Sequence, residues 1–200
     1  MSSQIWVYLL IGALGTERLI EMAIARRNRR CQLTRGAREY GQSFSRWFFL
    51  FHGLWFLSFF MEATLTHSRL LVHPGWAVAA FLILQGVRYW CIVSLGYFWN
   101  TKIIVLPGAP HVRKGPYRWL EHPNYMVVRI ELFLYPALCA CWITALFFGV
   151  ANLVMVRKRI GQEQRALRWG KVPGHPVPDQ AIGARSGRTQ GSPQQSHRGV

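Results

Sequence analysis

Four long apolar blocks, separated by basic segments, limit what this chain can fold into. They run roughly from Gln4 to Ala25, Trp47 to Leu65, Trp76 to Leu95 and Tyr125 to Val156. A helix needs about 20 apolar residues to cross the hydrocarbon of a bilayer. The first three blocks each suit one such helix. The fourth has 32 residues and contains Pro136, which is too long for one crossing and short for two. A tight helical hairpin, turning between Pro136 and Trp142, reconciles the numbers. The expected fold is therefore an all-α integral membrane protein with about five transmembrane helices, the last two forming the hairpin. Nine tryptophans and twelve phenylalanines agree with this, since aromatic side chains collect at bilayer interfaces. No basic stretch or small-residue cleavage site marks the first block as a removed signal, so it is expected to be a retained helix. One domain is expected over residues 1–169. The segment 170–200 is rich in Gly, Pro, Gln and Ser and is expected to be a disordered, basic cytoplasmic tail.

The net charge of +16 is unevenly placed. If the N-terminus is outside, the segments 26–46, 97–123 and 157–200 are cytoplasmic. They hold seven, four and nine of the 24 Lys and Arg residues. Of the other four, only Arg69 would lie outside, and Arg18, Arg88 and Arg129 fall within apolar blocks. This is the bias of the positive-inside rule. It places the C-terminus in the cytoplasm and predicts attraction to anionic lipid. Nucleic acid is not an expected partner. Cys31, Cys91, Cys139 and Cys141 form no CxxC pair and have no His at metal spacing, so neither a metal site nor a disulfide framework is expected.

Two basic segments carry unusual polar groups. One is "WNTKIIVLPGAPHVRKGPYRWLEHPNY" (99–125) and the other is "RKRIGQEQRAL" (157–167). In the first, Gly115-Pro116 makes a turn, and His122-Pro123 suits the first turn of a helix. The free N–H groups of such a helix start could hold a carboxylate. Tyr117, Trp119 and Tyr125 offer flat faces and hydroxyls for a nucleobase or ribose. The segment reads as a pocket for a small charged organic cofactor, or as a structured loop with interfacial aromatics. In the second, Glu163 follows Arg159 by four residues and could pair with it along a helix. Glu17, Arg18 and Glu21 lie inside the first block, facing either protein or the headgroups.

Taken together, "GPYRWLEHPNY" and "RKRIGQEQRAL" resemble the motifs of the isoprenylcysteine carboxyl methyltransferase family. "RYWCIVSLGYFWNTKIIVLPGAP" and "RLIEMAIARRNRRCQLTRGAREYG" resemble its bacterial branch. The resemblance covers roughly residues 5–168. It implies a membrane-embedded methyltransferase, here of a bacterial inner membrane, that uses S-adenosylmethionine. By carry-over, His111, Val112, Gly115, Tyr117, His122, Pro123 and Tyr125 would line the cofactor site, Glu163 would close it, and Arg159 would steer a substrate anion. Two positions depart from the family pattern. Glu121 stands where an arginine is usual, which either weakens a contact to the cofactor carboxylate or leaves it to Arg118. Gln162-Glu163 stands where two acidic residues are usual. Arg129 is an additional charge, two residues before Glu131 and so on a different helix face.

A methyl group on a sulfonium is already activated, so positioning and exclusion of water are the main requirements. An isoprenylcysteine-type carboxylate is ionised at neutral pH and needs no base. A phenol or enol, as on an alkylpyrone or alkylresorcinol, would use one, and Glu131 is the candidate. Glu131 reads equally well as a polar staple between helices. The acceptor would be lipid-tailed in either case. The competing functions are an NADPH-dependent membrane reductase of related fold and a non-enzymatic basic membrane scaffold. The sequence implies no oligomeric state.

Overall fold

The computed structural model describes residues 3–109 and 112–170. His111 and the expected tail beyond Gly170 lie outside the described residues. Five α-helices follow in order: α1 (Ser3–Thr34), α2 (Gln42–Leu65), α3 (Pro74–Leu95), α4 (Pro123–Leu138) and α5 (Trp142–Gly170). Short 3-10 turns occupy Gly96–Phe98 and Gly115–Arg118. Two strands, β1 (Arg38–Tyr40) and β2 (Ile103–Val105), pair antiparallel with Glu39 opposite Ile104. This ribbon corrects the all-α expectation. The run Ile103-Ile104-Val105 is β-branched, a strand signal in a connection that had read as merely polar.

The expected hairpin between α4 and α5 is present. Pro136 sits two residues before the end of α4, and its carbonyl accepts from both Cys139 N and Cys141 N. Ala140 takes a positive φ of 58°, which lets three residues reverse the chain. Glu62 of α2 then caps the new helix, accepting from Ile143 N at 2.9 Å, Thr144 N at 2.8 Å and the Thr144 hydroxyl at 2.7 Å. A carboxylate there satisfies donors that no helix can pair internally.

The apolar core joins α1, α2, α4 and α5 through Val7, Leu14, Trp55, Phe59, Leu132, Tyr135 and Phe148. The outer faces are also apolar: Trp76 is 73% exposed, Val93 76% and Ile143 74%. A soluble protein rarely exposes apolar surface of this extent. Phe44–Leu65 and Pro74–Phe98 are each long and apolar enough to cross a bilayer alone. The other helices differ for visible reasons: α1 and α5 carry several charges, and the 16 residues of α4 give only about 24 Å.

Of the charges in α1, Glu17, Arg18 and Glu21 face protein. Glu17, Glu21, Gln85, Arg88 and Glu131 are all buried, and Arg18 nearly so. Arg88 of α3 pairs with Glu21 through two nitrogens, one at 2.7 Å, and with Glu131 of α4 at 3.0 Å. Arg18 pairs with Glu21 at 2.7 Å and also with Glu131. Gln85 donates to the remaining Glu131 oxygen at 3.0 Å. Glu131 thus joins α1, α3 and α4 as a staple.

Removing one partner from a buried ion cluster leaves an uncompensated charge. Arg88→Ala should therefore cost roughly 3–5 kcal/mol. This would be read as a large fall in thermal midpoint in detergent, and an unchanged midpoint would contradict the bracing role.

Candidate functional site

The two basic segments meet at one corner, where the start of α4 faces the C-terminal half of α5. Tyr125 is the joint. Its hydroxyl donates to Glu163 at 2.7 Å and accepts from Arg159 Nε at 3.2 Å. Arg159 and Glu163, expected to pair directly along the helix, are instead bridged by this phenol. The reason is that the other ends of the guanidinium turn away. They donate to the Thr101 carbonyl at 2.6 Å and to the Ser45 hydroxyl at 3.5 Å, while Phe48 lies 5.1 Å beneath the cation. Arg159 is 2% exposed. His122 caps no N–H with its own side chain, stacks near Tyr125 at 5.5 Å and lies 4.0 Å from Glu163. The side chains of His122 and Glu163 remain 19% and 30% exposed, so the corner opens on that side.

Three buried polar atoms around this corner have no partner among the described residues: His122 Nε2, Asn124 Oδ1 and Gln162 Oε1. Buried polar groups are nearly always hydrogen-bonded. Two of these orphans at the start of α4, beside N–H groups that the helix leaves unpaired, and a third on α5 mark a place suited to a polar ligand. Gly41, with φ of 62°, lets Gln162 approach: a Cβ there would stand 2.9 Å from Gln162 Oε1.

The turn Gly115–Arg118 packs on the end of α3. Gly115 has a φ of 54°, and an added Cβ would clash with Ser94 and stand 2.9 Å from Trp90 Nε1. Burial pushes the phenol of Tyr117 above its ordinary value, and Tyr117 lies within electrostatic reach of Glu163 and Tyr125. Pro123 is buried at the first turn of α4. Val112 is half-buried, and Arg118 is exposed with its guanidinium 5.5 Å from the Trp119 ring. Glu131, the candidate base that read equally well as a staple, is not brought to this corner but is held in the charge network. Sequence reasoning missed Ser45 and Phe48, which come from α2, far from either motif, and the Thr101 carbonyl, a backbone group inside the first segment that residue type does not mark.

The ribbon holds Thr101 in place. Glu39 accepts from Lys102 Nζ at 2.6 Å and from Arg29 Nε at 2.8 Å. Burial alone would raise the Glu39 carboxyl, but the bonds from Lys102 and then Arg29 outweigh it and hold it below its ordinary value. A depressed acid stabilises the fold above its unfolded pKa, about 4.3, and loses that contribution as pH falls through the folded value. Unfolding midpoints measured from pH 7 downward should decline in acid, and Glu39→Gln should flatten that decline. Gly115→Ala should unseat the turn from α3 and destabilise by roughly 1–3 kcal/mol, read by thermal unfolding.

Residues 77–169 match the isoprenylcysteine carboxyl methyltransferase (ICMT) family. The chain is 41% identical over 164 residues to the uncharacterised protein YpbQ of Bacillus subtilis (strain 168), covering 80% of this chain and 96% of that protein. It is 24% identical over 151 residues to an uncharacterised protein of Haemophilus influenzae, covering 75% of this chain and 88% of that one. No solved structure matches. With its apolar helices, its charged motifs joined at one corner and these relatives, this membrane protein belongs to the isoprenylcysteine carboxyl methyltransferase family.

Proposed function

We propose that the chain is an S-adenosylmethionine-dependent O-methyltransferase, acting on a lipid-tailed acceptor at the cytoplasmic face of a bacterial inner membrane. The observation that carries this reading is the corner itself. Tyr125, Arg159 and Glu163 are hydrogen-bonded together beside His122, with unpaired buried polar atoms around them.

The residues present fit such a cofactor. The start of α4 would take its carboxylate through free N–H groups, helped by Arg118 where Glu121 replaces the usual arginine. The rings of Tyr117, His122 and Tyr125 would flank the nucleoside. Gly115 and Val112 would shape the loop over it, with His111 on the same segment and Pro123 setting the helix start. The carboxylate of Glu163 would sit against its positive end. The bound cofactor would supply the activated methyl group. Arg159 is pinned by three partners and retains further N–H donors, since a guanidinium has five. It can therefore orient an acceptor oxygen without moving. Both oxygens of Glu131 are already occupied, which favours an acceptor that ionises unaided. A carboxylate does so, whereas a phenol or enol would look to a base.

Five crossings, with the N-terminus outside and the C-terminus cytoplasmic, complete the reading. The arrangement puts the corner and most of the Lys and Arg on one side.

The test is a methyl-transfer assay in detergent with labelled S-adenosylmethionine, offering farnesylcysteine and an alkylpyrone in parallel. Labelling is expected with farnesylcysteine. His122→Ala should lower it at least about tenfold, the loss expected for one good polar contact. Normal labelling by His122→Ala would remove the cofactor-site assignment. Binding of NADPH without binding of S-adenosylmethionine would favour the reductase.

A further inference from the structure

Beyond the Tyr125 corner, the seam between α4 and α5 continues as a groove of about 260 Å³. It is lined by Arg129, Phe133, Leu146, Gly149, Val150 and Leu153. Five of these six are apolar or glycine. Gly149 lets the two helices approach, because a Cβ there would stand 3.2 Å from the Phe133 ring. Arg129 is the exception. Its Nε is buried and has no hydrogen-bond partner among the described residues. Arg18 and Arg88 are fully occupied by carboxylates, and Arg159 is held by Tyr125, Ser45 and Thr101 with donors to spare. Arg129 differs from all three.

A guanidinium is costly to place at membrane depth, and one found there is normally paired or lines a polar path. Arg129 follows Tyr125 by four residues, so both lie on one stripe of α4, one turn apart. The volume is slightly below the usual range for small-molecule sites, about 300–1,000 Å³, and suits part of an alkyl chain. Charge and shape together describe an amphiphile with a single tail along the seam and an anionic oxygen group at Arg129.

We propose that this groove is the entry site for the acceptor, and that Arg129 captures its ionised carboxylate before Arg159 orients it. That the occupant is the acceptor rests on the methyltransferase reading; that the groove binds a lipid-tailed carboxylate does not. Methylation turns the anion into a neutral ester, which cancels the attraction to Arg129. The same residue would therefore gather substrate and release product.

The test needs neither cofactor nor turnover. Full-length protein in nanodiscs of neutral phosphatidylcholine is photolabelled with a dodecanoate bearing a diazirine on its tail, and labelled peptides are mapped by mass spectrometry. Labels are expected on α4 and α5 around Phe133 and Leu153. Dodecanoate should compete at least about tenfold better than its methyl ester, the selectivity expected of a charged hydrogen bond. Arg129→Gln should abolish that preference, while Arg129→Lys should keep part of it. Equal labelling of wild type and Arg129→Gln would overturn the inference. So would equal competition by the ester. Displacement of the label by phosphatidylglycerol but not by dodecanoate would also overturn it, making the groove a phospholipid site. Binding of S-adenosylmethionine is measured on the same preparations, and its absence would count against the methyltransferase reading while leaving the groove result intact.

Discussion

The rest of the structure depends on a cluster of opposite charges buried within the helices. Glu21 and Glu131 hold Arg18 and Arg88 between three helices, and Gln85 completes the shell of Glu131. In hydrocarbon there is no water to replace a lost partner, so each side chain must meet its counterpart in one alignment. A shift of α1 by one residue would rotate Glu21 away from Arg88 by about 100°. The apolar core tolerates small slips of Leu and Phe, but the charges do not. The cluster thus fixes where α4 starts relative to α3, and with it the corner where Tyr125 meets α5.

A second set of contacts carries that alignment out of the apolar layer. The far end of α1 reaches past α3, where Asn28 donates to the carbonyls of Gly96 and Trp99 and Gln32 donates to that of Tyr97. The chain then turns into the ribbon, which packs on α5 through Ile103, Val105 and Ala166. Thr101 lies just before this ribbon, so the carbonyl that holds Arg159 is itself held by α1 and β1. The candidate corner is built from four separated stretches of chain, and each is fixed by contacts outside the corner.

Much of this was legible in the sequence. Block lengths located five helices, and Pro136 located the hairpin, because hydrophobic thickness and proline geometry are strong local constraints. The motifs around His122 and Arg159 located two walls of the corner. The sequence left two alternatives open that only tertiary contacts decide: whether Glu17, Arg18 and Glu21 face headgroups or protein, and whether Glu131 is a base or a staple. Spacing could not show that Arg159 and Glu163 would meet through Tyr125, since that depends on which way a guanidinium is pulled by Thr101 and Ser45. Nor could it single out Arg129, which differs from Arg18, Arg88 and Arg159 in having a buried Nε without a partner among the described residues. The ribbon was missed because three-residue strands leave almost no periodic signal, although the β-branched run was present.

The brevity of α4 has a consequence of its own. In the five-crossing arrangement proposed, this helix offers about 24 Å to hydrocarbon about 30 Å thick. A bilayer meets a short element by pinching in around it. On the α4 side, water and headgroups would be drawn several ångströms toward the middle of the membrane. A tailed molecule sliding in from the lipid would travel less far to reach the aqueous boundary there than anywhere else on the protein's perimeter.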